Sequence, residues 1–123
     1  MSTPKVFFPR MENPISVSER AAYHLRILRL IAANPEISQR ELAVRLGVSL
    51  GKTHYLLHAL LEKGLVKAES FRRHGNKLAY LYLLTPSGAA EKLRLTKSYI
   101  ERKESEYEAI RAEVDELRRE AAA

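Results

Sequence analysis

The sequence predicts a mainly helical fold with one small β-hairpin and a long helix at its C-terminal end. Three observations lead there. Apolar residues recur at helical spacing over residues 17–63. The period changes to that of strands only over residues 65–84. From Thr85 onward an apolar repeat of about 3.5 residues continues, with no proline or glycine after Gly88. The chain has 123 residues, 46% hydrophobic and 29% charged, which suits one domain with a modest core and an appendage.

Residues 1–16 hold Pro4, Pro9 and Pro14 and no periodicity, and read as an extended N-terminal arm. Residues 17–33 read as a helix, with Ser18 as N-cap and Asn34-Pro35 as its stop. Leu25, Leu28 and Ala32 form one apolar line, with Ile27, Leu30 and Ile31 in a second beside it. So wide a face serves both its own core and a second helix. Residues 38–63 hold two short helices. Ser38 caps the first, and Glu41 three residues on completes a capping-box pattern. Leu42, Ala43 and Leu46 are its apolar line, and Gly47 stands where a C-cap needs a left-handed residue. Ser49 caps the next helix, which runs to Lys63 before Gly64. Only about three or four residues are left for the turn, which makes the pair a helix-turn-helix.

LVKAESFRR and KLAYLYLLT are strand-like, and RHGNK joins them through Gly75 and Asn76. A hairpin directly after a helix-turn-helix is the wing of a winged helix, and Ile37 is placed to supply a short third strand. Thr85 then caps a helix over 85–120, with Pro86 at its first position. At ~1.5 Å per residue it is ~52 Å long. A 14-kDa chain cannot cover that length with its own body. Its stripe of Leu93, Ile100, Tyr107, Ile110, Val114 and Leu117 is therefore expected to meet a second chain, giving a homodimer through a coiled-coil-like helix. Thr96 and Lys103 interrupt the seam and serve to fix its register. The competing arrangement folds this helix back on its own domain. The expected organisation is an arm over 1–16, a winged helix-turn-helix over 17–84 and a dimerisation helix over 85–123.

Charge is uneven along this plan. The net charge is +6, yet residues 1–88 carry 13 Lys+Arg against 6 Glu, while residues 89–123 carry 8 against 9 acids. A basic body with a balanced tail suits a polyanion, and double-stranded DNA is the expected partner. No apolar run reaches the ~18 residues of a membrane helix, and residues 1–14 lack a signal-like apolar stretch. A cytoplasmic, nucleoid-associated protein is expected, with no membrane partner.

The polar face of the second helix-turn-helix helix carries Gly51, His54, Tyr55 and His58 at spacings of three and four, with Lys52 beside them and Ser49 at the cap. Thr53, Leu56, Leu57, Leu60 and Leu61 face the core. No acid precedes Glu62, so donors, acceptors and an aromatic ring are free to reach base edges or phosphates. Arg72, Arg73, His74, Asn76 and Lys77 give the wing an acid-free basic tip suited to phosphates or a minor groove. Ser38, Gln39 and Arg40 begin the preceding helix, where backbone N–H groups hold phosphate.

Catalysis is not indicated. Gly51-Lys52-Thr53 resembles the end of a phosphate-binding loop, but Leu46 occupies the place of the earlier glycine. His54 and His58 have a chelating spacing without an evident third ligand, and there is no cysteine to supply a thiolate. Asp115 is the only aspartate and lies on the tail, so a Ser-His-Asp set is not available. No cofactor, metal or particular small-molecule effector is implied.

The run ISQRELAVRLGVSLGKTHYLLHALLEKGLV resembles the helix-turn-helix of bacterial MarR-type winged-helix regulators, and NKLAYLYLLTPSG resembles their second wing strand and the helix start after it. The combination SQRELAVRLGVSLGK, NKLAYLYLLTPSGAAEKLRLT and ERKESEYEAIRAEVDEL is most similar to the EPS-associated MarR-family transcriptional regulators, over roughly residues 17–120. The resemblance implies a dimeric transcriptional regulator found with exopolysaccharide biosynthesis genes. Typical MarR proteins dimerise through helices at both ends, whereas here one long tail helix dominates. The other readings are a winged-helix module for protein interaction and a sequence-neutral DNA-coating protein.

Overall fold

Ser16, rather than Ser18, opens the first helix of the computed structural model, which describes residues 16–72, 75 and 77–123. Its Oγ accepts the Glu19 N–H at 3.1 Å, and the Glu19 carboxylate accepts the Ser16 N–H at 3.3 Å. Two orphan donors are thus satisfied at once, which Ser18, lacking an acid three residues on, cannot match. The arm expected over 1–16 lies outside the described residues, save Ser16.

The element order is α1 (Val17–Ala33), α2 (Gln39–Leu46), α3 (Leu50–Glu62), β1 (Val66–Arg72), β2 (Leu78–Leu84) and α4 (Pro86–Ala122). Ser38 caps α2, its Oγ accepting the Glu41 N–H at 3.0 Å. The Glu41 carboxylate turns instead to Arg45 one turn on, at 3.0 Å, so only half of the expected capping box forms. Gly47 ends α2 at φ 71°, a left-handed conformation that a Cβ would strain. Ser49 caps α3 through the Lys52 N–H at 3.1 Å. The strands pair antiparallel from Val66 opposite Leu84 to Arg72 opposite Leu78.

The third strand expected at Ile37 does not form; the sheet has two strands among the described residues. The donors of this segment are spent locally. Asn34 accepts the Glu36 N–H on its side chain at 3.1 Å and the Ile37 N–H on its carbonyl at 3.1 Å. Pro35 has no N–H to return to a neighbour. A single bond remains, from the Tyr82 N–H to the Pro35 carbonyl at 2.9 Å, and the Ile37 side chain sinks into the core.

That core lies where α1, α2 and α3 meet the hairpin. Ile27, Leu28, Ile31, Leu42, Leu56, Leu57 and Leu60 are essentially inaccessible, joined by Val66, Tyr82 and Leu95. On α1 Leu25 and Leu28 are buried as expected, but Ala32 is exposed, and His24 is buried one turn before Leu28. Leu61, expected inside, is only half-buried.

The long helix is fixed to the body at its first turn. The Thr85 hydroxyl donates to the Gly64 carbonyl at 2.6 Å and accepts the Gly88 N–H at 3.0 Å. The Thr85 N–H donates to the Leu65 carbonyl at 3.1 Å. One residue therefore caps α4 and ties it to the turn between α3 and β1. Gly88 lies so close that a Cβ built there falls onto the Leu65 carbonyl oxygen. Beyond this turn α4 buries only Leu95, on the side facing α1. From residue 103 onward every residue is exposed, so the helix does not fold back on its own domain. Among the described residues no helix is long and apolar enough to cross a membrane.

His24 is a buried base without a hydrogen-bond partner for Nε2 among the described residues. Burial first, then the positive charges of Lys63 and Arg20, push its pKa down to about 4, against a smaller opposing pull from Glu91. The folded state therefore resists a proton that the unfolded chain accepts near 6.5. The stabilisation from a neutral His24 is complete above pH 6.5 and is lost as pH falls toward 4. Between pH 7 and 5 the expected loss is about 2 kcal/mol, at ~1.4 kcal/mol per pH unit below the unfolded-state pKa. Urea unfolding of the wild type and His24→Leu at both pH values checks this: the loss is expected in the former and largely absent in the latter. Equal losses would contradict the assignment.

Candidate nucleic-acid interface

The cap and the buried face of α3 decide what it presents outward. Thr53, Leu56, Leu57 and Leu60 are turned inward, and the Thr53 hydroxyl is spent on the Ser49 carbonyl at 2.9 Å. This leaves Gly51, His54, Tyr55 and His58 exposed on the opposite side, as the spacing predicts. The His54 and His58 rings stack, with centroids 5.8 Å apart and planes 19° from parallel. His58 Nε2 lies 3.5 Å from the Glu62 carboxylate, an ion pair when the ring is protonated. Among the described residues no three His, Cys, Asp or Glu side chains converge on a metal site.

Lys52, expected beside this face, is held toward α1. It is half-buried, and its ammonium stands 4.8 Å from the centroid of the Tyr23 ring on α1. The ring's negative face holds the charge beside the start of α3. Lys52 thus adds positive field at the helix start, where the unpaired N–H groups also point.

Three contacts that sequence spacing does not reveal fix this face. Arg20 of α1 donates to the Tyr55 hydroxyl at 3.3 Å, across 35 residues. His54 Nδ1 lies 3.3 Å from Gln39 Oε1 at the start of α2. Gln39 Nε2 in turn donates to the Tyr82 hydroxyl on β2 at 3.3 Å, across 43 residues. Gln39, expected to hold phosphate, thereby links α2, α3 and the hairpin. Arg20, Tyr23 and Tyr82 are the positioning residues that sequence reasoning misses. None leaves a spacing signal in the sequence, and burial along β2 does not alternate around Tyr82.

The remaining candidates lie around this centre. Ser38 and Arg40 are exposed at the start of α2, with the Ser38 hydroxyl engaged in capping. Arg72 and Lys77 are exposed where the hairpin approaches its tip. Arg73, His74 and Asn76 lie outside the described residues. A cleft of about 400 Å³ separates the start of α2 from β2, floored by Ile37 and Tyr82 and flanked by Gln39, Lys77 and Tyr80. The dimer candidates Leu93, Ile100, Tyr107, Ile110, Val114 and Leu117 are all exposed, from 38% at Val114 to 59% at Tyr107 and Ile110. The expected stripe thus exists, and this chain does not cover it.

Residues 20–67 match the family described as winged helix-turn-helix DNA-binding. No curated protein matches the sequence significantly. Among solved structures, a PadR-like transcriptional regulator from Bacillus cereus superposes with a TM-score of 0.68 at 18% identity, over 77% of this chain and 97% of its own. MarR of Staphylococcus aureus, in complex with salicylate and kanamycin, gives 0.53 at 21% identity, over 67% and 53% respectively. A mutant MarR from Escherichia coli complexed with operator DNA gives 0.50 at 30% identity, over 62% of this chain and 53% of its own. The chain thus spans almost the whole PadR-like structure and about half of either MarR chain. The fold is a winged helix-turn-helix carrying a long C-terminal helix.

Proposed function

We propose that this chain is a transcriptional regulator of the MarR/PadR type that binds specific sites on double-stranded DNA as a homodimer. The observation that carries the reading is the outer face of α3. It has no acid before Glu62, and it is tied through Gln39 to the start of α2 and to the hairpin. Such a face delivers His54, Tyr55 and His58 to base edges in a major groove, while Arg40, Arg72 and Lys77 meet phosphates. The match of residues 20–67 to a DNA-binding family and the operator complex of a structural neighbour support the same reading. The uncovered α4 stripe supports the homodimer. With DNA as the proposed partner, the proposed location is the cytoplasm, on the nucleoid. The finer reading, that its operators lie beside exopolysaccharide biosynthesis genes, rests on the motif resemblance alone.

Lys52→Ala and Arg40→Ala test the site. Each is expected to weaken operator binding roughly tenfold while leaving the unfolding midpoint near that of the wild type. Arg40→Ala should also reduce the salt slope of log K by about one, the signature of a lost phosphate contact. Unchanged affinity in both variants would remove this face from the interface. Binding that depends on salt but prefers no site would point instead to sequence-neutral coating.

A further inference from the structure

We propose that two α4 helices pair parallel and in register over residues 103–121, so that both winged domains lie at the same end of the coil. This deepens the homodimer reading above and rests on it. With the stripe numbered as a heptad, Ile100, Tyr107 and Val114 fall at a, and Lys103, Ile110 and Leu117 at d. The stretch projecting beyond the body is about 30 Å long at ~1.5 Å per residue, with every residue exposed.

Charges flanking this projecting seam distinguish the two directions. In a parallel pair the residue at g meets the residue at e five positions on in the other helix. Glu106 then faces Arg111, and Glu113 faces Arg118, each twice by symmetry. An antiparallel pair that overlaps the same apolar layers gains Glu104 against Arg118, but places Glu113 against Glu113 and Arg111 against Arg111, and brings Glu106 to Glu120. Like charges across a seam oppose pairing. A second antiparallel register, centred between residues 101 and 102, does match Lys92 with Glu113 and Lys97 with Glu104. It does so by setting Tyr107 against Thr96 and Ile100 against Lys103, and it leaves Leu117 with no apolar partner. Of these three registers, the parallel one alone combines opposite charges with like layers of Tyr107, Ile110, Val114 and Leu117. Ile100 and Val114 at a with Leu117 at d follow the pattern of parallel two-stranded coils, although Tyr107 at a and Ile110 at d depart from it.

Lys103 at d is the apparent obstacle, and the structure shows how it is avoided. Its ammonium bonds the Glu106 carboxylate at 3.1 Å and stands 5.4 Å from the centroid of the Tyr99 ring. Both partners lie at g, so the charge is drawn out of the seam along its flank.

The chain contains no cysteine, so single introduced cysteines report helix direction without background. Under mild oxidation Leu117→Cys is expected to form a covalent dimer with itself, at least about tenfold faster than Ser105→Cys on the outer face. Failure of Leu117→Cys to cross-link in a protein that sediments as a dimer would overturn the parallel pairing. So would cross-linking between Leu93→Cys and Ile110→Cys chains mixed together, since those positions meet only in the second antiparallel register. A protein that sediments as a monomer would overturn the homodimer reading itself.

Discussion

Gly88→Ala is expected to destabilise the protein by about 3 kcal/mol or more, against the direction that helix propensity alone gives. In an exposed helix the same change stabilises by roughly 1 kcal/mol, because alanine loses less backbone freedom. Here the added Cβ falls onto the Leu65 carbonyl oxygen, which is backbone and cannot rotate away. That oxygen already accepts the Thr85 N–H, so moving it also costs this hydrogen bond. The strain falls on the turn that joins α3 to β1 and holds α4 in place through Thr85. Ser87→Ala, one residue earlier and exposed, is the control and should change stability by less than about 1 kcal/mol. Urea unfolding of the three proteins decides the matter. A Gly88→Ala variant as stable as the wild type would show that this junction is looser than described.

Ile110→Asp is expected to dissociate the proposed dimer while leaving each chain folded. In the single chain Ile110 is 59% exposed and touches no core residue, so the change costs the monomer little. In a paired seam it buries two carboxylates against each other, amid Tyr107, Val114 and Leu117. Leaving such charges without partners costs at least about 3 kcal/mol, roughly a hundredfold or more in the dimer dissociation constant. Affinity for a two-half-site operator should fall by a similar factor, since each domain then binds alone. Sedimentation should show a monomer with unchanged helical circular dichroism. A dimer that survives Ile110→Asp would place the interface elsewhere.

The parts of the fold that local chemistry dictates are legible in the sequence. Ser38, Gly47 and Ser49 mark the ends of α2 and the start of α3 because caps act through hydrogen bonds and φ angles within three residues. Thr85-Pro86 announces α4 in the same way. The exposed face of α3 is legible from helical spacing once its core side is known. Much of what escapes is set by distant partners, while the Ser16 cap and the strand lost at Ile37 are local competitions between neighbouring groups. Tyr23 draws Lys52 back toward α1, and Tyr82 engages Gln39 from 43 residues away. Asn34 consumes the donors that a third strand at Ile37 needs. Gly88 reads as an ordinary residue near a helix start, and only the packing of Leu65 against it shows why a side chain is barred. The exposure of the α4 stripe follows from its length, a quantity the sequence gives directly.

The most direct test is to incubate the purified protein with fragmented genomic DNA at physiological salt and sequence what it retains. A dimeric regulator should enrich an inverted repeat whose half-sites lie about one helical turn apart, roughly 10–10.5 base pairs centre to centre. Lys52→Ala and Ile110→Asp should each reduce that enrichment. A folded protein that retains no preferred sequence would contradict the central claim that the α3 face reads specific DNA.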